Sequence, residues 1–273
     1  MHFKLFALLC GAAGSALAQR PSGTSICDYY TTALLKEDTP ANQYALLTVL
    51  VNTVVIGNYS ACAVGGGLPG ILAPANYGGE QVNLLPYFNG CLLSTNVDDM
   101  PSSVNFLDGG GAAPLMNNMP ANNPNSNQYY MGDPSMARVH KFMALDPAEV
   151  GYFISQVGAA ATCLGVSTSD VSAVAGVLMQ YFGYRCSPPL AITDGPLLQS
   201  ICEACDCPYD PMANCKLYDD NGCYPSPMVA PQCMKKETSS SSSTWMSQPI
   251  KSSSTWESTT SSTCKETTTS TQW

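Results

Sequence analysis

His140 is the first residue to weigh for chemistry, because imidazole is the side chain that changes charge near neutrality and the commonest protein ligand to transition metals. The 273-residue chain holds two histidines. The other, His2, falls in an N-terminal stretch read below as cleaved. One remaining histidine excludes zinc sites with several His ligands, and also a peroxidase-type site that needs one His on iron and another for acid–base work. Helical positions advance about 100° per residue, so Met136, Val139, His140 and Met143 share one face while Arg138 and Lys141 point away. An imidazole on such an apolar face is more often a core histidine bonded to a carbonyl than a ligand. The rival reading is haem, because globins hold iron through one His projecting from a short helix into an apolar pocket.

Other constellations are weaker. Gly65-Gly66-Gly67-Leu68-Pro69-Gly70 fits G-x-G-x-x-G, but a dinucleotide site needs that pattern between a strand and a helix, and Pro69 argues for a loop. Asp98, Asp99 and Asp108 could pair as acid and base in sugar hydrolysis, although acidic loop residues are usually solvated. No G-x-S-x-G elbow or H-E-x-x-H pair occurs. Cys202-x-x-Cys205-x-Cys207 resembles a metal knuckle, yet disulfides are expected in an oxidising compartment. Asp219-Asp220-Asn221-Gly222 lacks the ligand spacing of a calcium loop and reads as a turn.

The compartment is read from the N-terminus. His2 and Lys4, an apolar run from Leu5 to Leu17 and the small-residue site Ala16-Leu17-Ala18 have the layout of a signal peptide at 1–18. Cleavage would remove Cys10 and leave twelve of the 13 cysteines, an even number suited to a disulfide framework. Asn58-Tyr59-Ser60 makes Asn58 a candidate glycosylation site. Charged residues are 11% of the chain, and 11 Lys plus Arg face 20 Asp plus Glu for a net charge of −9. Such a surface cannot supply the contacts that bind nucleic acid and is repelled by anionic lipid headgroups. Neither nucleic acid nor, after signal removal, a membrane is expected as a partner.

These residues must be positioned by three zones. Residues 26–190 carry the apolar periodicity of one helical domain, 200–234 form a Cys-rich segment, and 238–273 form a tail in which 23 of 36 residues are Ser or Thr. The tail cannot bury enough apolar surface to order itself and reads as a disordered, O-glycosylated, low-complexity stalk. Ile26 to Leu35 predicts a short helix. Thr39 and Pro40 open a longer one that buries Tyr44, Leu47, Leu50, Val51, Val54 and Val55 and stops at Gly57. Asp133-Pro134 opens a short helix through Met143. Asp146-Pro147 with Glu149 opens the next, with Val150, Phe153, Ile154, Val157, Ala161 and Leu164 inward, and Ser167 with Asp170 caps a third that turns Val171, Val174, Leu178 and Phe182 inward. Residues 60–132 read as long irregular loops.

Met136-Ala137-Arg138-Val139-His140-Lys141-Phe142-Met143, Phe153, Leu164-Gly165-Val166 and Asp170-Val171 resemble the C-terminal half of the truncated haemoglobins. The helix around Tyr44 to Ile56 and Leu84-Leu85-Pro86-Tyr87-Phe88 are similar to that family's earlier segments. Ile26-Cys27-Asp28-Tyr29-Tyr30, Asn105-Phe106-Leu107-Asp108-Gly109-Gly110 and Tyr184-Arg185-Cys186-Ser187-Pro188-Pro189 resemble a group of secreted fungal proteins carrying such a domain. The likeness covers about residues 26–190 and implies an all-α, 2-on-2 globin-like fold. It also implies haem with His140 as the iron ligand, Met136, Val139, Met143 and Phe153 around it, and Asn52 as a distal candidate. Relative to that family the long distal helix is missing near 131–132. Two functions are therefore carried forward. One is a secreted haem-binding protein for haem capture, gas binding or redox sensing. The other is a cofactor-free cell-wall or extracellular structural or adhesion protein on a glycosylated Ser/Thr-rich stalk.

Overall fold

Side-chain caps define the long helices. In the computed structural model, which describes residues 19–57, 67–107, 133–192 and 195–237, Ser25 caps α1 (Ile26–Leu35) and Thr39 caps α2 (Pro40–Ile56). Each hydroxyl accepts a backbone N–H that the first turn cannot satisfy internally. The signal segment, the Asn58 sequon, Asp108, the junction at 131–132 and the Ser/Thr tail lie outside the described residues.

α1 and α2 are followed by two short hairpins around α3 (Leu85–Phe88). β1 (Ala75–Tyr77) pairs with β2 (Glu80–Val82), and β3 (Thr95–Val97) pairs with β4 (Met100–Ser102), both antiparallel. Gly78 and Gly79 (φ 62° and 95°) turn the first, and Asp98 and Asp99 (φ 51° and 60°) turn the second. Positive φ at both central residues gives the backbone twist that two-residue hairpins require, and Gly and Asp tolerate it best. A third antiparallel pair, β5 (Leu190–Ile192) with β6 (Gly195–Leu197), follows the helical segment.

That segment comprises α4 (Met136–His140), α5 (Pro147–Cys163) and α6 (Thr168–Phe182). Asp146 and Glu149 form a reciprocal capping box on α5, and Ser167 caps α6 by accepting the Asp170 N–H. α5 packs against α6, α2 and the first hairpin. It is the central helix: Val150, Tyr152, Ile154 and Ala160 are buried together with Val54, Ile71, Val82 and Leu84. On α5 the ring of Tyr77 occupies the space where Gly151 would carry a Cβ, so only glycine admits the hairpin there.

The all-α, 2-on-2 globin-like expectation is overturned. Among the described residues, three two-stranded antiparallel sheets and four disulfides stand beside the helices, giving a mixed architecture. Moreover, Ile201, Cys202 and Cys207 of the Cys-rich segment belong to the main hydrophobic cluster. Two further expectations are corrected. Tyr44, Leu47 and Val51 on α2 are exposed rather than inward; α2 is apolar around its circumference, so periodicity cannot choose a face. α4 begins after the Ser135 cap and ends at His140 instead of running from Asp133-Pro134 through Met143.

Among the described residues, Cys91–Cys233, Cys186–Cys215, Cys202–Cys207 and Cys205–Cys223 are joined as disulfides. None of the described helices is long and apolar enough to cross a membrane. Together these features fit a secreted or extracellular protein. At the N-terminal end, Asp170 is buried, accepts the Tyr30 hydroxyl at 2.8 Å and pairs with Arg20 at 2.7 Å. The bond from Arg20 holds its carboxyl below the usual range, so its stabilising contribution is present above that range and lost as pH falls through the depressed value.

Cys91–Cys233 spans 142 residues and joins the last described helix, α7 (Pro231–Glu237), to the chain before β3. Replacing both cysteines by serine removes a long covalent closure and is expected to lower the unfolding free energy by about 2–5 kcal/mol, read from denaturant midpoints.

Candidate functional site

α4 is a wedge between two apolar clusters. Met136 and Met143 pack against the main one, whereas Ala137 is buried in a second with Cys186 and Tyr218. The Ser135 hydroxyl caps the helix and donates to the Leu198 carbonyl at 2.9 Å, and the Ala137 N–H donates to the same oxygen at 3.2 Å. This fixes the helix against the strand end at Leu197.

The residues expected around haem are distributed as follows. His140 is half-buried, with Nδ1 at 2.8 Å from the Met136 carbonyl oxygen, one turn back. Burial lowers its pKa, favouring neutral imidazole, and the Met136 bond opposes the shift. Phe153, on α5, packs partly buried against the same main cluster as Met136 and Met143. Val139 is half-buried, and so is Asn52 on α2. Asn58 lies outside the described residues.

The chemistry-bearing concavity lies on the other side of α4. A cavity of about 660 Å³ opens between Arg138 and Lys141 on one wall and Glu203, Tyr218 and Tyr224 on the other, with Asp133, Asp219 and the leucines 197, 198 and 217 at its edges. Arg138 and Lys141 were expected to point away from the apolar face that carries His140. Lys141 keeps helical dihedrals (φ −41°, ψ −33°) and lines the cavity with Arg138, but that side of the helix is covered by the Cys-rich segment rather than by solvent: its ammonium lies 2.7 Å from Asp219 and 3.6 Å from Asp99. Its side chain is only 16% exposed, and the hydrogen bond to Asp219 raises its pKa. Arg138 pairs with Asp133 at 3.1 Å in a more exposed bridge. Asp98 and Asp99, considered above as an acid–base pair, are the exposed central residues of the second hairpin turn. Within the Gly-rich motif, residues 67–70 form no strand-to-helix turn: Gly70 (φ 72°) packs on the end of α2, and Ile71 donates to the Val54 carbonyl.

Glu203 is the residue that sequence reasoning missed. It is 1% exposed, its Oε2 has no hydrogen-bond partner, and it lines the cavity. Its backbone is locked: the N–H donates to the Leu145 carbonyl at 3.0 Å, and its own carbonyl accepts from Tyr224 N–H at 2.9 Å. The disulfides Cys202–Cys207 and Cys205–Cys223 grip its flanks. Desolvation pushes its carboxyl up to about 9, aided by Asp219 and opposed by Lys141. Tyr218 donates to the Ser187 carbonyl at 2.7 Å, and burial raises its hydroxyl to about 12. Tyr224 donates to the Asp219 carbonyl at 3.2 Å, with its hydroxyl raised by burial as well. The available signal was the placement of an acid within Ile201-Cys202-Glu203-Ala204-Cys205, where bridged cysteines impose burial.

At neutral pH, then, two ion pairs and one uncharged carboxylic acid line the cavity. A protonated carboxyl both donates and accepts, and a buried one without partners is costly unless a ligand supplies them. The residues can orient polar groups of a small molecule. Among the described residues, no cluster of three or more His, Cys, Asp or Glu could hold a metal ion. No protein-family model, curated protein or solved structure matches the chain.

A raised folded pKa means that the folded state holds the proton after the unfolded chain has lost it, so stability falls as pH rises between the two values. Glu149, buried beside Tyr87 and pushed up to about 7, contributes to that fall in the acid range, leaving the interval from about 7 to about 9 to Glu203. Glu203→Gln is expected to flatten the melting temperature across that upper interval. An unchanged slope would show that Glu203 is not protonated there.

Proposed function

We propose that this chain is a secreted recognition head that captures a small polar ligand or a cell-wall component and is displayed on a glycosylated Ser/Thr stalk. The observation that carries this reading is the Glu203 cavity between α4 and the Cys-rich segment, where Cys202–Cys207 and Cys205–Cys223 flank Glu203. The C-terminal end of the head supports it: α7 is pinned through Cys91–Cys233 next to the point where the Ser/Thr tail begins in the sequence. Ala230 N–H donates to the Cys91 carbonyl at 2.8 Å and Leu93 N–H to the Met228 carbonyl at 2.9 Å, so the two strands of chain also run together. The reading requires no cofactor.

Deleting residues 238–273 is expected to move the protein from the wall fraction to the medium while leaving the head folded. Wall retention that does not depend on the tail would remove the stalk from the proposal.

Haem binding through His140 remains the second reading, favoured by one observation. The Met136 carbonyl engages Nδ1, and a neutral imidazole donating there presents Nε2 as the lone-pair nitrogen, the arrangement usual for metal-bound histidines. A bound haem would supply iron for gas or redox chemistry, with His140 as its ligand. Adding haemin to the purified chain should then give a shifted Soret band that His140→Ala abolishes; a spectrum identical to free haemin sinks the reading.

A further inference from the structure

The cavity wall carries more information than its size. Its formal charges cancel in pairs, Arg138 with Asp133 at 3.1 Å and Lys141 with Asp219 at 2.7 Å. An anionic ligand would have to compete with carboxylates already in place, and a cationic one with the guanidinium and ammonium. Neither sign of charge is left uncompensated to attract it. The remaining polar group, Glu203 Oε2, is sequestered and unpaired on a side chain 1% exposed. Leu197, Leu198 and the rings of Tyr218 and Tyr224 provide apolar surface beside it. A ligand matched to this wall has several hydroxyls, no net charge and an apolar C–H face.

We infer that the cavity between α4 and the Cys202–Cys223 segment binds a neutral saccharide, with one ring hydroxyl bonded to the Glu203 carboxyl and a C–H face against the tyrosines and leucines. This rests on the recognition-head reading and names its ligand class. The 660 Å³ volume lies within the range of small-molecule sites and accommodates a mono- or disaccharide. The Glu203 carboxyl serves in its uncharged form, as a donor and an acceptor at once. The groups facing it are Lys141 and Asp219, with Tyr218 and Tyr224 on the same wall.

The test uses the full secreted chain with its disulfides intact. Titration calorimetry and saturation-transfer NMR are run against neutral hexoses and their disaccharides, the matching uronic acids, the amino sugars and acyclic polyols. Neutral ring sugars are expected to bind, and uronic acids and amino sugars to bind at least about tenfold more weakly. Glu203→Leu, which keeps the volume, should weaken neutral-sugar binding about tenfold; Glu203→Gln, which keeps a donor and an acceptor, should retain most of it. Wild-type binding should be level below pH 7 and decline toward about 9, while the Gln variant stays level. If Glu203→Leu fails to fold, the wild-type and Gln pH profiles decide the matter. Absence of neutral-sugar binding at millimolar concentration, preference for a charged sugar or an acyclic polyol, or two identical pH profiles overturns the inference. Wall retention is measured separately, so a head that stays tail-anchored yet binds no sugar rejects the ligand class and spares the recognition-head reading.

Discussion

The carbonyl oxygen of Leu145 accepts two backbone N–H bonds, from Glu203 at 3.0 Å and Ala204 at 3.1 Å. Together with the Cys202 N–H bond to the Phe182 carbonyl at 3.0 Å, this acceptor ties the helical segment and the Cys-rich segment into one core. Leu145 is buried, follows Ala144 in a left-handed conformation (φ 49°), and precedes the Asp146 cap of α5. A non-glycine residue in that region costs about 1–2 kcal/mol, and the bonds and burial that follow must outweigh it. The Leu145 junction sits beside Cys202 and Cys207 of the main cluster and holds the backbone of Glu203 at the seam.

The chain carries few charges, and most of its buried ones have structural duties that the surroundings set in opposite directions. Asp170 receives Arg20, Tyr30 and Ser167 and stays ionised more readily than usual. Glu149 faces inward from its capping box toward the Tyr87 hydroxyl at 3.2 Å, and desolvation outweighs those bonds. Glu203 has no bonded partner on Oε2 and is displaced furthest. The number of bonds that reach each carboxylate, more than depth alone, separates the three.

Caps were the legible part of the sequence. Thr39 with Pro40, Asp146 with Glu149 and Ser167 with Asp170 each use a local rule, and each forms the start it implies. The hairpins were illegible because each strand is three residues long, too short for alternation to register, and β4 contains Pro101. Their turns did carry a signal: Gly78-Gly79 and Asp98-Asp99 are residue pairs that accept positive φ. Lys141 was misplaced for a different reason. Helical spacing still holds at Lys141, but the covering of that side by Asp219 and Tyr218 is a long-range contact that spacing does not report. Glu203 was hidden by composition, since an acid is expected in water, and its burial is enforced by cysteine pairings that spacing alone cannot assign. Attention to His140 as the chemical residue followed from its rarity, whereas the cavity lies across the helix from the face it was assigned.

The closure at Cys91–Cys233 also sets the path that a pull on the C-terminal side of the described chain would take. Tension entering from the tail meets Cys233 first and crosses a covalent bridge to Cys91. The segment from 91 to 233, with Glu203 and its wall inside it, is a sealed loop that cannot be unzipped from the C-terminal end. Peeling stops at the sulfur bridge, and the weaker hydrogen bonds at Leu145 are spared the pull. Load applied at the C-terminal end of α7 is therefore passed through sulfur to the chain before β3 rather than through the backbone of the Cys-rich segment.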